Sequence, residues 1–148
     1  MPAPGIPTGV HVIFERDGHI LLMRRANTGF FDGLFSLPGG HVEDGECVRQ
    51  TAIREMREEL ALTLDPSDLA LVGVVHRRSD TNRIDFFLRA TRWSGEPVRA
   101  EPGKCDVLRW CAPDALPEDT VAYVRDALGR CAATPWVVET GWPDSVAI

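Results

Sequence analysis

Residues 39–62, GGHVEDGECVRQTAIREMREELAL, constrain this chain more than any other stretch. Val48, Ala52, Ile53, Met56 and Leu60 recur at helical spacing and predict an amphipathic helix over about residues 45 to 61, pinned to a core by that stripe. Glu55, Glu58 and Glu59 stand at i, i+3 and i+4 and so cover an arc of roughly 100° on that helix. Carboxylates this dense repel one another, and a divalent cation is the natural relief. An all-oxygen donor set suits Mg2+ or Mn2+ and suits zinc poorly. A Glu/Arg-rich helix by itself is ordinarily a solvated face held by pairs such as Arg54 with Glu58. Here Gly39-Gly40 and Glu46 stand upstream as well, and a glycine-led loop lets a phosphate chain approach the backbone closely.

The spacing resembles the Nudix box, G-x5-E-x7-R-E-U-x-E-E-x-G-U, where U is a bulky aliphatic residue. Gly40, Glu46, Arg54, Glu55, Met56, Glu58, Glu59 and Leu62 fall on the pattern, and Ala61 stands where the family has glycine. That glycine ends the helix, where a left-handed residue other than glycine costs about 1–2 kcal/mol. Either the helix runs on slightly or Ala61 accepts the strain. The resemblance implies direct metal ligation by Glu58 and Glu59, with Glu55 a ligand or the group that orients water. It also implies a metal contact from the Gly39 carbonyl and a further acidic ligand from a downstream loop, for which Glu101 is the natural candidate. Arg54 would orient the glutamates through salt bridges, with Glu46 two turns away on the same helix. The catalytic set so implied is Glu46, Arg54, Glu55 and Glu58, and the expected cofactor is Mg2+, with Mn2+ as an alternative.

Composition bounds the remaining choices. A chain of 148 residues with 44% hydrophobic and 26% charged content fits one domain with a real core, taken as residues 1–148 with 1–7 as a flexible, proline-bearing lead-in. Net charge is −6, which argues against a nucleic-acid polymer as partner. No apolar run approaches the 18 residues of a membrane span, and the N-terminus lacks the basic and apolar regions of a signal peptide. Cys47, Cys105, Cys111 and Cys131 show no CxxC spacing and have no paired histidines, so neither a zinc site nor a disulfide frame is expected. These features fit a reducing, cytoplasmic setting. His11, His19, His41 and His76 form no triad with serine or cysteine, which leaves nucleophilic catalysis without support.

Strands are expected at Thr8–Phe14, Ile20–Arg25, Leu71–Arg77, Ile84–Thr91, Val107–Cys111 and Trp136–Glu139. A second helix is expected from Pro117 to about Cys131, with Val121, Val124, Ala127 and Leu128 as its stripe. Strands, helix, strands, helix implies an α+β fold with a mixed sheet covered on both faces. The family resemblance sharpens this to the Nudix α/β/α sandwich.

Substrate contacts are legible in outline. Alternation turns only one of Arg24 and Arg25 toward the site, and Arg25 is taken as the phosphate contact. Gly40 is taken as the point of close phosphate approach. Among Phe30, Phe31 and Phe35, whose faces suit a nucleobase, Phe35 is taken as the base contact, and Tyr123 as a pocket wall. The segment AEPGKCDVLRW (residues 100–110) looks like the E-P-x-K-C stretch of nucleoside-triphosphate-cleaving enzymes of the MutT type. ADP-ribose hydrolases of the family usually carry a proline about fifteen residues past the box, and dinucleoside polyphosphate hydrolases a tyrosine slightly further on. Here His76-Arg77-Arg78 and Ser79-Asp80 stand in those places. The expected activity is Mg2+-dependent cleavage of a nucleoside triphosphate or modified nucleotide to monophosphate and pyrophosphate, by a monomer or homodimer. A hydrolase of a nucleoside diphosphate linked to another moiety, or a silent nucleotide-binding domain, are the alternatives.

Overall fold

A computed structural model describes residues 5–130 and 133–143. In chain order the elements are β1 (Thr8–Arg16), β2 (His19–Arg25), β3 (Phe35–Ser36), β4 (Gly39–His41), α1 (Val48–Leu60), a 3-10 turn (Pro66–Asp68), β5 (Leu69–Arg78), β6 (Asn82–Ala90), β7 (Cys105–Cys111), α2 (Ala122–Gly129) and β8 (Trp136–Thr140). The strands join in one mixed sheet of order β3-β2-β1-β6-β5-β8, with β4 added on β1 and β7 on β2. β1 runs parallel to β6 and antiparallel to β2 and β4. β5 is antiparallel to β6 and parallel to β8.

Strand alternation sorts the apolar residues into two cores. Val10, Val12, Phe14 and Leu21 face Ala52, Met56 and Leu60 of α1. Ile13, Leu22, Val75 and Phe87 face Val124, Ala127 and Leu128 of α2. The sheet is therefore covered on both faces, as the α+β sandwich requires. At Gly73 an added Cβ would lie 2.3 Å from the Trp136 ring, so the absence of a side chain lets Trp136 lie flat on the sheet.

Four expectations change. First, α1 begins at Val48, with Cys47 at its N-cap, where the Gln50 side chain accepts the Cys47 N–H at 2.8 Å. Glu46 therefore precedes the helix and does not lie on it. Second, α2 begins at Ala122, because residues 117–121 instead pair with the sheet edge: Phe35 N–H bonds Asp119 O at 2.8 Å and Val121 N–H bonds Phe35 O at 2.9 Å. Third, the stretch between β2 and α1, where no strand is expected, contains β3 and β4, too short for any periodicity to reveal. Fourth, Ala61 ends α1 in the left-handed region at φ 58°, ψ 34°. Its N–H bonds Arg57 O, the 5→1 bond of an αL-type end, and the Leu62 N–H reaches back to Met56 O. Of the two readings of that position, the strained one is correct. The expected end of α2 at Cys131, the first part of the lead-in (residues 1–4) and the tail from residue 144 lie outside the described residues.

Candidate active site

The site forms where α1 passes beneath β4. Register places Gly39 opposite His11 and Gly40 opposite Val10 on β1. At Gly40 an added Cβ would sit 2.2 Å from the Glu55 carboxyl carbon, so this glycine is what lets the α1 carboxylates come up against the strand. Beside them opens a cavity of about 490 Å3, lined in part by Arg25, Gly39, Gly40, Glu55, Glu58, Glu59 and Glu101. These are seven of the expected site residues, drawn from β2, β4, α1 and the loop before β7. Glu101 thus lines the same cavity as the α1 carboxylates from some forty residues further along the chain.

Arg54 organises the cluster. Its Nε and Nη2 bond the two Glu46 oxygens at 3.0 and 2.7 Å, its Nη1 bonds Glu55 at 2.8 Å, and Glu58 lies 3.5 Å from the same nitrogen. Nη2 also bonds the His41 carbonyl at 3.2 Å, which ties α1 to β4. Glu46 further bonds the Glu43 N–H and the Thr51 hydroxyl. With Arg54 as the main cause, the Glu46 carboxyl is held down at about 2. Glu59 behaves oppositely. Burial, then a hydrogen bond and like charge from Glu55, with Glu101 adding to the repulsion, push its carboxyl well above the usual range. A carboxylate so destabilised in its ionised form is relieved by a cation, and the donor set around it is all oxygen. The residues present therefore fit a hard divalent ion. Among the described residues no three acidic, histidine or cysteine groups already stand close enough to form a finished cage. Glu55 is held between Arg54 and Glu59 by hydrogen bonds to both.

Alternation at the end of β2 is resolved. Arg24 points away and forms a two-bond fork with Asp106 at 2.8 and 2.9 Å, whereas Arg25 lines the cavity and bonds the Phe30 carbonyl at 2.7 Å. Phe35 is a correction. It is 2% exposed, inside the core beneath α2, and offers no face to a ligand. It occupies a strand that pairs with β2, so the sheet consumes its side chain. Phe31, 37% exposed, is the loop ring that stays open. Tyr123 lies outside the carboxylate cavity, next to Phe31 (6.1 Å between ring centres) and His11 (5.7 Å). Burial raises its hydroxyl to about 12.

Sequence reasoning passed over His41 and Glu43, which also line the cavity, and a buried polar network on the α2 face. In that network Asp85 receives Arg77 Nε at 2.8 Å and lies 3.0 Å from His11 Nε2. The cue for His41 was its position directly after the glycine pair. The network had none, since its members are spread over three strands.

Comparisons with known proteins place the chain in a family. The family model described as the NUDIX domain matches residues 5–129. The CTP pyrophosphohydrolase of Escherichia coli K12 is 33% identical over 105 residues, covering 71% of this chain and 75% of that protein. The ADP-ribose pyrophosphatase of Methanocaldococcus jannaschii is 47% identical over 62 residues, but the match spans only 35% of its length and 42% of this chain. Among solved structures, a MutT NUDIX hydrolase from Burkholderia pseudomallei superposes with a TM-score of 0.79 at 31% identity, covering 87% of this chain and 100% of that one. The chain belongs to the NUDIX family. It is a hydrolase of that family, a group whose members generally use divalent metals.

Proposed function

We propose that the protein is a Mg2+-dependent diphosphatase that cleaves a nucleoside triphosphate or modified nucleotide to monophosphate and pyrophosphate. The observation that carries this reading is the convergence of Glu55, Glu58, Glu59 and Glu101 on one cavity whose wall also carries Arg25. Carboxylates on one side and a guanidinium on another suit a polyphosphate neutralised by metal. Glu58, Glu59 and Glu101, with the Gly39 carbonyl, would hold the ion, and Mn2+ would serve the same donors. When bound, the ion neutralises non-bridging phosphate oxygens and acidifies a water. Glu55, beside Arg54, would orient or deprotonate the attacking water. Arg25 binds phosphate with its planar fork, and Gly40 leaves room for close approach. Catalysis is then positioning and electrostatics, with no covalent intermediate. Phe31, the exposed ring of the loop before β3, would offer its face to a nucleobase.

The likeness to the CTP pyrophosphohydrolase, over most of both chains, supports a triphosphate substrate. The shorter, higher-identity match to the ADP-ribose pyrophosphatase keeps a diphosphate-linked substrate as the second reading. A panel of nucleoside triphosphates, damaged nucleotides, ADP-ribose and nucleotide sugars, assayed with Mg2+ for phosphate-containing products, decides between them. Pyrophosphate release from a triphosphate is the expected result. Cleavage confined to diphosphate-linked compounds selects the second reading, and no cleavage of any member rejects both.

A further inference from the structure

The loop between β2 and β3, residues 26–34, is locally coiled. Asn27, Gly29, Phe31 and Gly33 all have positive φ, between 53° and 82°. Asp32 holds it together by accepting the Thr28 N–H, the Thr28 hydroxyl and the Gly29 N–H. Bonds of Gly33 N–H to Arg25 O, Ala26 N–H to Lys104 O and the Asn27 amide to Gly103 O tie its ends to the protein, and its tip at Phe30 and Phe31 packs through its rings. Its N-terminal half forms the cavity wall through Asn27 and Thr28, and the Phe30 carbonyl is the partner of the Arg25 guanidinium. The position of Phe30 therefore sets the position of the phosphate-facing arginine.

The Phe30 ring packs against the β5–β6 hairpin and lies edge-on to His41, 6.4 Å between ring centres. Arg77 and Arg83 are directly paired across these strands and project from the same face. The Arg83 guanidinium lies 4.9 Å from the centre of the Phe30 ring, and that of Arg77 lies 4.3 Å from the centre of Tyr123. Each cation is held by its own carboxylate. Arg83 donates to Asp80 through Nε at 3.2 Å and Nη2 at 3.1 Å, and Arg77 donates to Asp85. Phe31 closes the bracket, edge-on to Phe30 at 5.2 Å and tilted toward Tyr123. The Arg83 side chain is only 12% exposed although its carboxylate partner is 68% exposed. A surface ion pair would leave both ends in water, so the packing of Arg83 under the ring is not explained by the ion pair alone.

We infer that Arg83 is a positioning residue for substrate binding: stacked on Phe30 and steered by Asp80, it seats loop 26–34 so that Arg25 and Phe31 face the substrate. It touches no reacting atom. This rests on the proposed nucleotide hydrolysis, and the readouts separate the two. With the nucleotide that the wild-type protein cleaves, Arg83→Ala is expected to raise KM five- to tenfold while kcat changes less than twofold, and Arg83→Lys, which keeps the cation, to recover most of the loss. Limited chymotrypsin treatment, with fragments mapped by mass, is expected to cut after Phe30 or Phe31 at least tenfold faster in Arg83→Ala. Phe30→Leu and the double variant complete a cycle in which the two losses do not add. An unchanged KM with unchanged cutting overturns the inference, as does a fall in kcat at constant KM. If Arg83→Ala does not fold, an unchanged KM in Phe30→Leu overturns it equally. If the wild-type protein cleaves no nucleotide, the functional reading fails, and the proteolysis rate alone decides whether Arg83 seats the loop.

Discussion

Arg54 and Glu46, eight residues apart, meet in a two-bond fork of 3.0 and 2.7 Å although only one of them lies on α1. The fork spans the helix N-terminus, so the chain entering α1 is fastened to the middle of the helix. The remaining Nη1 of Arg54 is thereby left pointing at Glu55 and Glu58. Arg54→Lys keeps the charge and loses the fork, because an ammonium cannot satisfy three carboxylates and a carbonyl in fixed directions. It is expected to lower kcat by roughly 10- to 100-fold, the usual effect of removing a group that orients ligands. Its thermal midpoint is expected to fall by no more than a few degrees. Steady-state kinetics beside a thermal melt checks this, and a melt that collapses while the folded fraction keeps full turnover would contradict it.

Glu46 carries a pH signature. Its folded carboxyl is depressed to about 2 from 4.5, so its contribution is complete above the ordinary value and is lost as pH falls from about 4.5 toward 2. Glu46→Gln should flatten the acid limb of the stability curve in that window. Denaturant titrations of both proteins between pH 2 and 5 measure it, and parallel acid limbs would show that the fork does not hold the proton off.

Glu59 has the opposite sign. Its folded carboxyl is raised, so its contribution is present below the unfolded value near 4.5 and is lost as pH climbs through the folded value. The metal-free protein should therefore weaken as pH rises above about 4.5, and added Mg2+ should reverse this by binding the folded state. Glu59→Gln should be more stable than wild type in chelator at neutral pH, yet gain nothing from Mg2+ and show no turnover. Equal stabilisation of both proteins by Mg2+ would remove Glu59 from the ligand set.

How much of this was legible in the chain differs by residue. Glu55, Glu58 and Glu59 declared themselves because helical spacing is short-range and the box fixes their distances. Gly40 was readable as a phosphate approach, but its tight contact with Glu55 required the register of β4 on β1. Phe35 was misassigned because alternation cannot locate a strand of two residues, and burial followed from pairing with β2. Arg83 showed no signal at all. Its partners Phe30 and Asp80 are distant and near in sequence respectively, and only the hairpin brings the ring above the guanidinium.

Ala61 holds the left-handed end of α1 at φ 58°. Replacing it with glycine relieves about 1–2 kcal/mol of backbone strain and returns part of that through the freer unfolded chain. Ala61→Gly should therefore stabilise by about 0.5–1 kcal/mol, or roughly 2–4 °C for a chain of this size, with kcat unchanged. A lower melting point would mean that the Ala61 methyl makes packing contacts worth more than the strain.

The two glycines of β4 should fail in different ways. At Gly39 an added Cβ meets the Val10 carbonyl oxygen at 1.9 Å, and because the obstacle is backbone of β1, no rotamer relieves it. Gly39→Ala should pull β4 off β1 and cost roughly 2 kcal/mol or more of stability. At Gly40 the obstacle is the Glu55 carboxyl, 2.2 Å away, which is the far end of a flexible side chain. Gly40→Ala should leave the fold nearly as stable and push Glu55 off Arg54, lowering kcat by one to two orders of magnitude with metal affinity less affected. Denaturation midpoints, turnover and Mn2+ titration on both variants separate the cases. Equal losses of stability would show that Glu55 is as rigid as backbone, and that it does not leave Arg54 during catalysis.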